Sequence, residues 1–438
     1  MSGVSGAKNG AAILSADLAR QVIDPHAYAQ WDGLLDTFDH IRATTPVAKV
    51  QPDTPGLFDP FWLVTGYDDV MRISKDNATF LNNPRPVVFS FNQAIEFSRA
   101  ATGSNMLVDS LVVFDAPIHP KYRKLTQEWF MPRNLARLED ELRVLAAQTV
   151  DRMLAGGSGE VDFVKEVSGP YPLRVVMQIL GVPPSDEFRM QMLTQQLFGG
   201  QDKDLSGSGL DKMTPEQVVQ IVAGAVKTFE DYFAGIAEDR RRNPTDDVAS
   251  VIANALVDGE PLPPRDMAGY YIIVATAGHD TTSASTAGAM QALARDPAQY
   301  ARVRADRSLL SGIVEEAIRW TSPVQHFMRT AAQDCELGGQ QVKAGDWLMM
   351  NYVAANHDPA QFPDPRRFNA ARSPNRHLAF GAGAHQCLGL HLARLEMKIL
   401  FEAILDRVAA VEPAGEAKRA SSTFVGGLKS LPLRVTPA

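Results

Sequence analysis

Most of this chain carries apolar residues at helical intervals. Leu138, Leu142, Leu145, Val150 and Leu154 recur near the spacing that puts side chains on one helix face, and Gly156-Gly157 stops the run. Pro172 to Leu180 is a second apolar helix, ended by Gly181 and Pro183-Pro184. Thr214-Pro215-Glu216-Gln217 has the form of a helix start, with a hydroxyl cap, proline at the first helical position and glutamine closing a capping box. Leu390 to Arg407 is strongly helical. Strand-like pieces are few and short: Phe61 to Thr65, Trp347 to Tyr352 and Leu433 to Thr436. The pattern predicts a mainly α protein with small β-sheets. Segments 82–110 and 198–213 show no clean period and read as mobile connections.

One helix breaks its own pattern. Arg265 to Arg295, closed by Asp296-Pro297, reads as a single helix of about 45 Å at ~1.5 Å per residue. Its middle is Ala277-Gly278-His279-Asp280-Thr281-Thr282. A charge and two hydroxyls inside a buried helix are costly without partners, and such misfits often mark function. Val274, Ala277, Gly278 and Thr281 share one face by their spacing. The other reading of the misfit is a helix bend, held by threonine hydroxyls bonding back to the backbone.

Composition narrows the classes. A net charge of -8 argues against nucleic acid or an anionic membrane as the main partner. The two cysteines, Cys335 and Cys387, make no disulfide framework, which fits a reducing, cytoplasmic setting. No apolar run reaches membrane-spanning length. Residues 1–12 read as a disordered segment ahead of one domain over 13–438, and they lack the apolar core of a signal peptide.

The most specific stretch is Phe380-Gly381-Ala382-Gly383-Ala384-His385-Gln386-Cys387-Leu388-Gly389. Gly381 and Gly383 let the backbone pass close under a flat macrocycle. Cys387 falls at the start of the Leu390–Arg407 helix, where free N–H groups and the helix dipole favour an anion and lower a thiol's pKa. F-G-x-G-x-x-x-C-x-G at 380–389 resembles the haem-binding signature of the cytochrome P-450 monooxygenases. The resemblance runs from about Ala16 to Val435. At Ala275–Ser285, Asn375–Ile399 and Phe424–Gly427 it is similar to the soluble bacterial branch whose best-known member hydroxylates α-terpineol.

That resemblance implies the P-450 fold, a triangular helical prism with haem b between a long central helix and a proximal cysteine-bearing helix. It makes Cys387 the axial ligand of the haem iron. Asp280 and Thr281 become the acid–alcohol pair that delivers protons during oxygen activation. Phe380 and Gly381 lie against the haem, and His119, Arg123, Arg329 and His385 hold its propionates. Glu316-Ala317-Ile318-Arg319 matches the family's E-x-x-R core, with Arg367 of Pro365-Arg366-Arg367-Phe368 as the third member. Val274, Ala277, Val324, Phe327, Phe424 and Val425 form the pocket wall, joined by Phe89 and Phe91 from the first of two lids. The implied activity is hydroxylation of a small hydrophobic, terpenoid or alkyl-aromatic, substrate using O2. The implied electron donor is a [2Fe-2S] ferredoxin with its reductase. It would dock on a basic patch of Lys121, Lys124, Arg133 and Arg394. A monomer is the expected state. A haem-thiolate peroxygenase or a non-catalytic haem sensor shares the cysteine loop but has no need of Asp280-Thr281.

Overall fold

Two of the apolar runs are strands because both of their faces are covered. In the computed structural model, which describes residues 11–51, 59–85, 87, 92–156, 159–206 and 215–438, a five-stranded sheet is built from β1 (Val47–Val50), β2 (Phe61–Val64), β3 (Phe80–Leu81), β4 (His326–Ala331) and β5 (Trp347–Asn351). The order is β1-β2-β5-β4-β3, with β2 and β5 parallel and the other neighbours antiparallel. Alternate side chains leave opposite faces. Phe61 and Leu63 of β2, with Trp347 and Met349 of β5, pack on Val22, Leu34, Phe38 and Ile41 of the N-terminal helices. Trp62, Val64, Leu348 and Met350 pack on Val70 and Ile73 of the helix Tyr67–Lys75. This two-sided cover explains why the strands read as continuous apolar runs.

The rest is a helical body around one large apolar cluster. The elements that matter below are α1 (Ile118–Gln127), α2 (Pro264–Ala277), α3 (Asp280–Arg295), α4 (Leu310–Thr321) and α5 (Leu390–Arg407). The helix expected near Leu138–Leu154 is Glu139–Ala155, that expected at Pro172–Leu180 is Pro170–Ile179, and α5 has the expected limits. The helix Pro215–Arg242 begins one residue after Thr214, which lies outside the described residues. Pro432–Pro437 pairs with Val408–Pro413 and Glu160–Asp162.

Two expectations need correction. The run 265–295 is two helices, α2 and α3, interrupted at Gly278-His279. The Thr281 hydroxyl donates to the Ala277 carbonyl across the break at 2.9 Å, the backbone-bonded bend weighed above. At the N-terminus, the Ala12 amide donates to Gln340 Oε1 at 3.0 Å, and the Lys49 amide donates to the Ala12 carbonyl at 2.7 Å. Ala12 therefore belongs to the folded domain rather than to a segment ending at residue 12.

Candidate active site

The loop before α5 is built to present one thiol. Gly381 adopts φ +66 and Gly383 φ +75, conformations that L side chains rarely take. The Cys387 amide donates back to the Phe380 carbonyl at 2.8 Å and closes the loop. Ser74 fastens it below, accepting from the Ala382 amide and donating to the Ala382 carbonyl, both at 3.2 Å. Gly383 serves this fastening: a Cβ there would lie 2.5 Å from the Ser74 carbonyl oxygen. Only Gly381 of the two glycines lines the central cavity.

That cavity lies between the α2–α3 break and the start of α5. Val274, Ala277, Gly278 and Thr281 line it from one side, and Phe380, Gly381 and Cys387 from the other. His119 and Arg123 of α1, Arg329 of β4 and His385 close one edge. Val324 and Phe327 also line it. Phe424 and Val425 stand one layer behind: Val425 bridges to Val324, and the Phe424 ring lies 5.4 Å from that of Phe327. Phe89 and Phe91 lie outside the described residues.

The charged edge has a clear sign. Arg329 is 2% exposed, its Nη1 donates to the Met328 carbonyl at 2.8 Å, and its Nε has no hydrogen-bond partner. Neither Arg123 nor Arg329 has an ion pair among the described residues. A buried guanidinium in that state is costly unless an anion reaches it. The two imidazoles stack, with ring centroids 3.9 Å apart. Burial and the neighbouring Arg123 lower His119 to about 4, and burial with His119, Arg329 and Arg123 lowers His385 to about 2. The edge therefore gathers two guanidiniums and two imidazoles, which suits a pair of carboxylates. A flat group with an anionic edge and a thiolate-seeking metal fits this donor set, as haem does.

Cys387 departs from expectation in one respect. Burial pushes its thiol up, and the Gly389 amide, Arg123 and Arg394 only oppose that rise. The helix proper starts at Leu390, after Gly389 as its cap, so the dipole acts from a distance. A thiolate here draws on the positive charge of a bound metal.

Asp280 does not line the cavity. Its Oδ1 lies 3.1 Å from Nδ1 of the buried His279, which does not line the cavity either. Sequence reasoning missed Glu396 of α5, which is 2% exposed and lines the same cavity. Thr282 Oγ1 donates to its Oε1 at 3.2 Å, Oε2 is unpartnered, and burial raises its carboxyl well above the usual range.

The Glu316 core is real, but its third member is Arg372. Arg319 grips Glu316 bidentately at 2.8 Å twice, with both side chains 0% exposed. Arg372 Nε adds contacts of 3.0 and 3.1 Å, and Asn375 Nδ2 one of 3.0 Å. Arg367 is exposed. The chain turns irregularly after Pro363, and Arg372 folds back over that turn, donating to the Pro363, Asp364 and Arg367 carbonyls. No periodicity counts residues through such a turn. Arg319 also donates to the Asn356 carbonyl, and Asn356 Oδ1 accepts from the Leu378 amide at 2.7 Å, so the core reaches the cysteine loop.

The basic patch is half neutralised. Lys121 pairs with Asp258, and Arg394 pairs bidentately with Glu315 while its guanidinium sits 4.8 Å over the Phe380 ring. Lys124 and Arg133 are exposed. Among the described residues no helix is long and apolar enough to cross a membrane.

The comparisons agree with this geometry. The family model "Cytochrome P450" matches residues 204–434. The chain is 40% identical over 428 residues to cytochrome P450-terp of a Pseudomonas species, covering 98% of this chain and 99% of that protein. It is 34% identical to the steroid C26-monooxygenase of Mycolicibacterium smegmatis, over 89% of this chain and 87% of that one. The crystal structure of CYP108D1 from Novosphingobium aromaticivorans superposes with a TM-score of 0.89 at 63% identity, covering 97% of this chain and all of that one. Mycobacterium marinum CYP268A2, solved with pseudoionone, superposes with a TM-score of 0.82 at 32% identity, covering 92% and 95%. With the fold, the cysteine loop and these relatives in agreement, the chain belongs to the cytochrome P450 family, monooxygenases that bind haem b through a cysteine thiolate.

Proposed function

We propose that Cys387 ligates the haem iron and that the enzyme hydroxylates a small hydrophobic, terpenoid or alkyl-aromatic, substrate. The observation that carries this reading is one cavity lined by the Cys387 thiol, two arginines without ion pairs and the α2–α3 break. When bound, the haem supplies reductive activation of O2 and insertion of one oxygen atom into a C–H bond, the other leaving as water.

The chain's own residues prepare that reaction. Arg123, Arg329, His119 and His385 would hold the two propionates. Phe380 packs beside the thiolate under the Arg394 guanidinium and keeps water from the sulfur. Ala277 and Gly278 leave space on the side facing Cys387. Thr281 turns its hydroxyl into that space when it releases the Ala277 carbonyl, and there it orders a water. Asp280 lies beside His279 and does not line the cavity, so it passes protons to Thr281 through side-chain rotation or an intervening water.

The substrate reading rests on the apolar wall of Val274, Ala277, Val324 and Phe327, backed by Phe424 and Val425. P450-terp is a relative matched over nearly the full length of both chains. The electron donor in this reading is a [2Fe-2S] ferredoxin, docking near the exposed Lys124 and Arg133. Spin-state titration with α-terpineol, p-cymene, a steroid and a long-chain fatty acid tests the substrate class. Tight shifts with the first two support it. Tight binding of the steroid with no response to the small cyclic compounds overturns it.

A further inference from the structure

Asp202 lies far from the chemistry in sequence, yet it is 2% exposed and heavily bonded. Its carboxylate accepts from Lys429 Nζ at 2.8 and 3.0 Å, from the Ser421 amide at 2.7 Å and from the Asp204 amide at 2.9 Å. Gln201 Oε1 accepts from the Thr423 amide at 2.9 Å, and Lys429 also reaches Asp204 Oδ2 at 2.8 Å. Segment 201–204 is thus stitched to the loop between Lys418–Arg419 and Leu428–Ser430.

That loop is stitched in turn to the cavity wall. The Gln325 amide donates to the Phe424 carbonyl at 2.8 Å, Gln325 Nε2 to the Ser422 carbonyl at 2.6 Å, and the Gly426 amide to the Pro323 carbonyl at 2.9 Å. Gly427 presses on α3 so closely that a Cβ would lie 2.4 Å from that of Ala284. The loop is therefore a wedge between α3 and residues 323–327, and Val324 and Phe327 of that segment line the cavity.

We propose that Asp202 and Lys429 are positioning residues for substrate selection: their ion pair sets where the 421–427 wedge holds Val324 and Phe327, although neither residue touches the cavity. The proposal rests on the cavity being the haem and substrate site. A ligand that needs only the iron should be indifferent to the pair, whereas one that leans on the wall should not. Breaking a largely buried pair leaves a charge without its partner, which favours rearrangement of the segment that carries it.

The test uses the haem-loaded enzyme with two probes, imidazole and 4-phenylimidazole, together with hydrogen exchange. In Asp202→Asn and Lys429→Met, imidazole should bind as in the wild type while 4-phenylimidazole weakens about tenfold. Lys429→Arg, which keeps the charge, should restore both. Exchange protection should fall at 199–206 and 420–427 and stay unchanged at 378–389. Should Asp202→Asn not fold, Lys429→Met alone carries the comparison. An unchanged ratio of the two affinities overturns the proposal, as does unchanged protection at 420–427. Failure of imidazole to bind the wild type would instead overturn the haem reading, and exchange at 420–427 would still decide whether the pair holds the wedge.

Discussion

Thr281 holds two places in one side chain. It lines the cavity, and its hydroxyl is bonded to the Ala277 carbonyl at 2.9 Å. Thr281→Ala should therefore keep the haem and bind substrate while diverting electrons to peroxide. Product formed per electron consumed checks this, and unaltered coupling would remove the hydroxyl from proton handling. Arg372 and Arg367 make a paired test. Arg372→Ala strips a charge from a Glu316 that is 0% exposed and should cost about 3–5 kcal/mol. Arg367→Ala, on an exposed side chain, should leave the thermal midpoint where it is. Glu396 gives a pH signature. Burial raises its folded pKa above the unfolded value of about 4.3, so the folded state holds the extra proton and the residue weakens the fold as pH rises past that value. Glu396→Gln should raise the melting temperature more at pH 7 than at pH 4.5, and an equal gain at both would contradict a neutral carboxyl.

At the scale of elements, the sequence and the structure part company at interruptions. The limits of α5 were legible because Gly389 and a long apolar period bracket it. The strands were legible as short apolar runs, although their register depends on two covering layers that no local pattern contains. The α2–α3 break was legible as a misfit, with a backbone-bonded bend as one reading, but not as a stop, because a hydroxyl bonding back one turn, as Thr281 does, also occurs inside intact α2 at Thr276. Arg372 was invisible for the same kind of reason, since only a folded irregular turn carries it to Glu316. The Asp202–Lys429 pair belongs to this scale too. Burial opposes the Asp202 charge, but Lys429 and the backbone amides outweigh it and hold the carboxyl below its usual range, while Lys429 is raised. The acid's contribution is present above the unfolded value of about 3.9 and is lost only as pH falls through the lower folded value. The lysine's contribution persists until pH passes its raised value. Protection at 420–427, corrected for intrinsic exchange, should be flat from about pH 5 to 9 and fall in stronger acid. A decline already at pH 6 would mean that another group controls the loop.

For the whole molecule, one sheet covered on both faces and a helical body together bring distant segments to a single cavity. Residues 119 and 123, 274 to 281, 324 to 329 and 380 to 387 meet there. The Glu316–Arg319–Arg372 core links α4 to the chain that enters the cysteine loop, and Ser74 pins that loop from the sheet side. The central claim is that this convergence is a haem-thiolate centre with Cys387 as the ligand. The carbon monoxide difference spectrum of the dithionite-reduced protein tests it most directly, read beside Cys387→Ala. A strongly red-shifted Soret band in the wild type, absent from the variant, is the predicted result. A Soret band at the position of imidazole-ligated haem, or a red-shifted band that survives in Cys387→Ala, would contradict it.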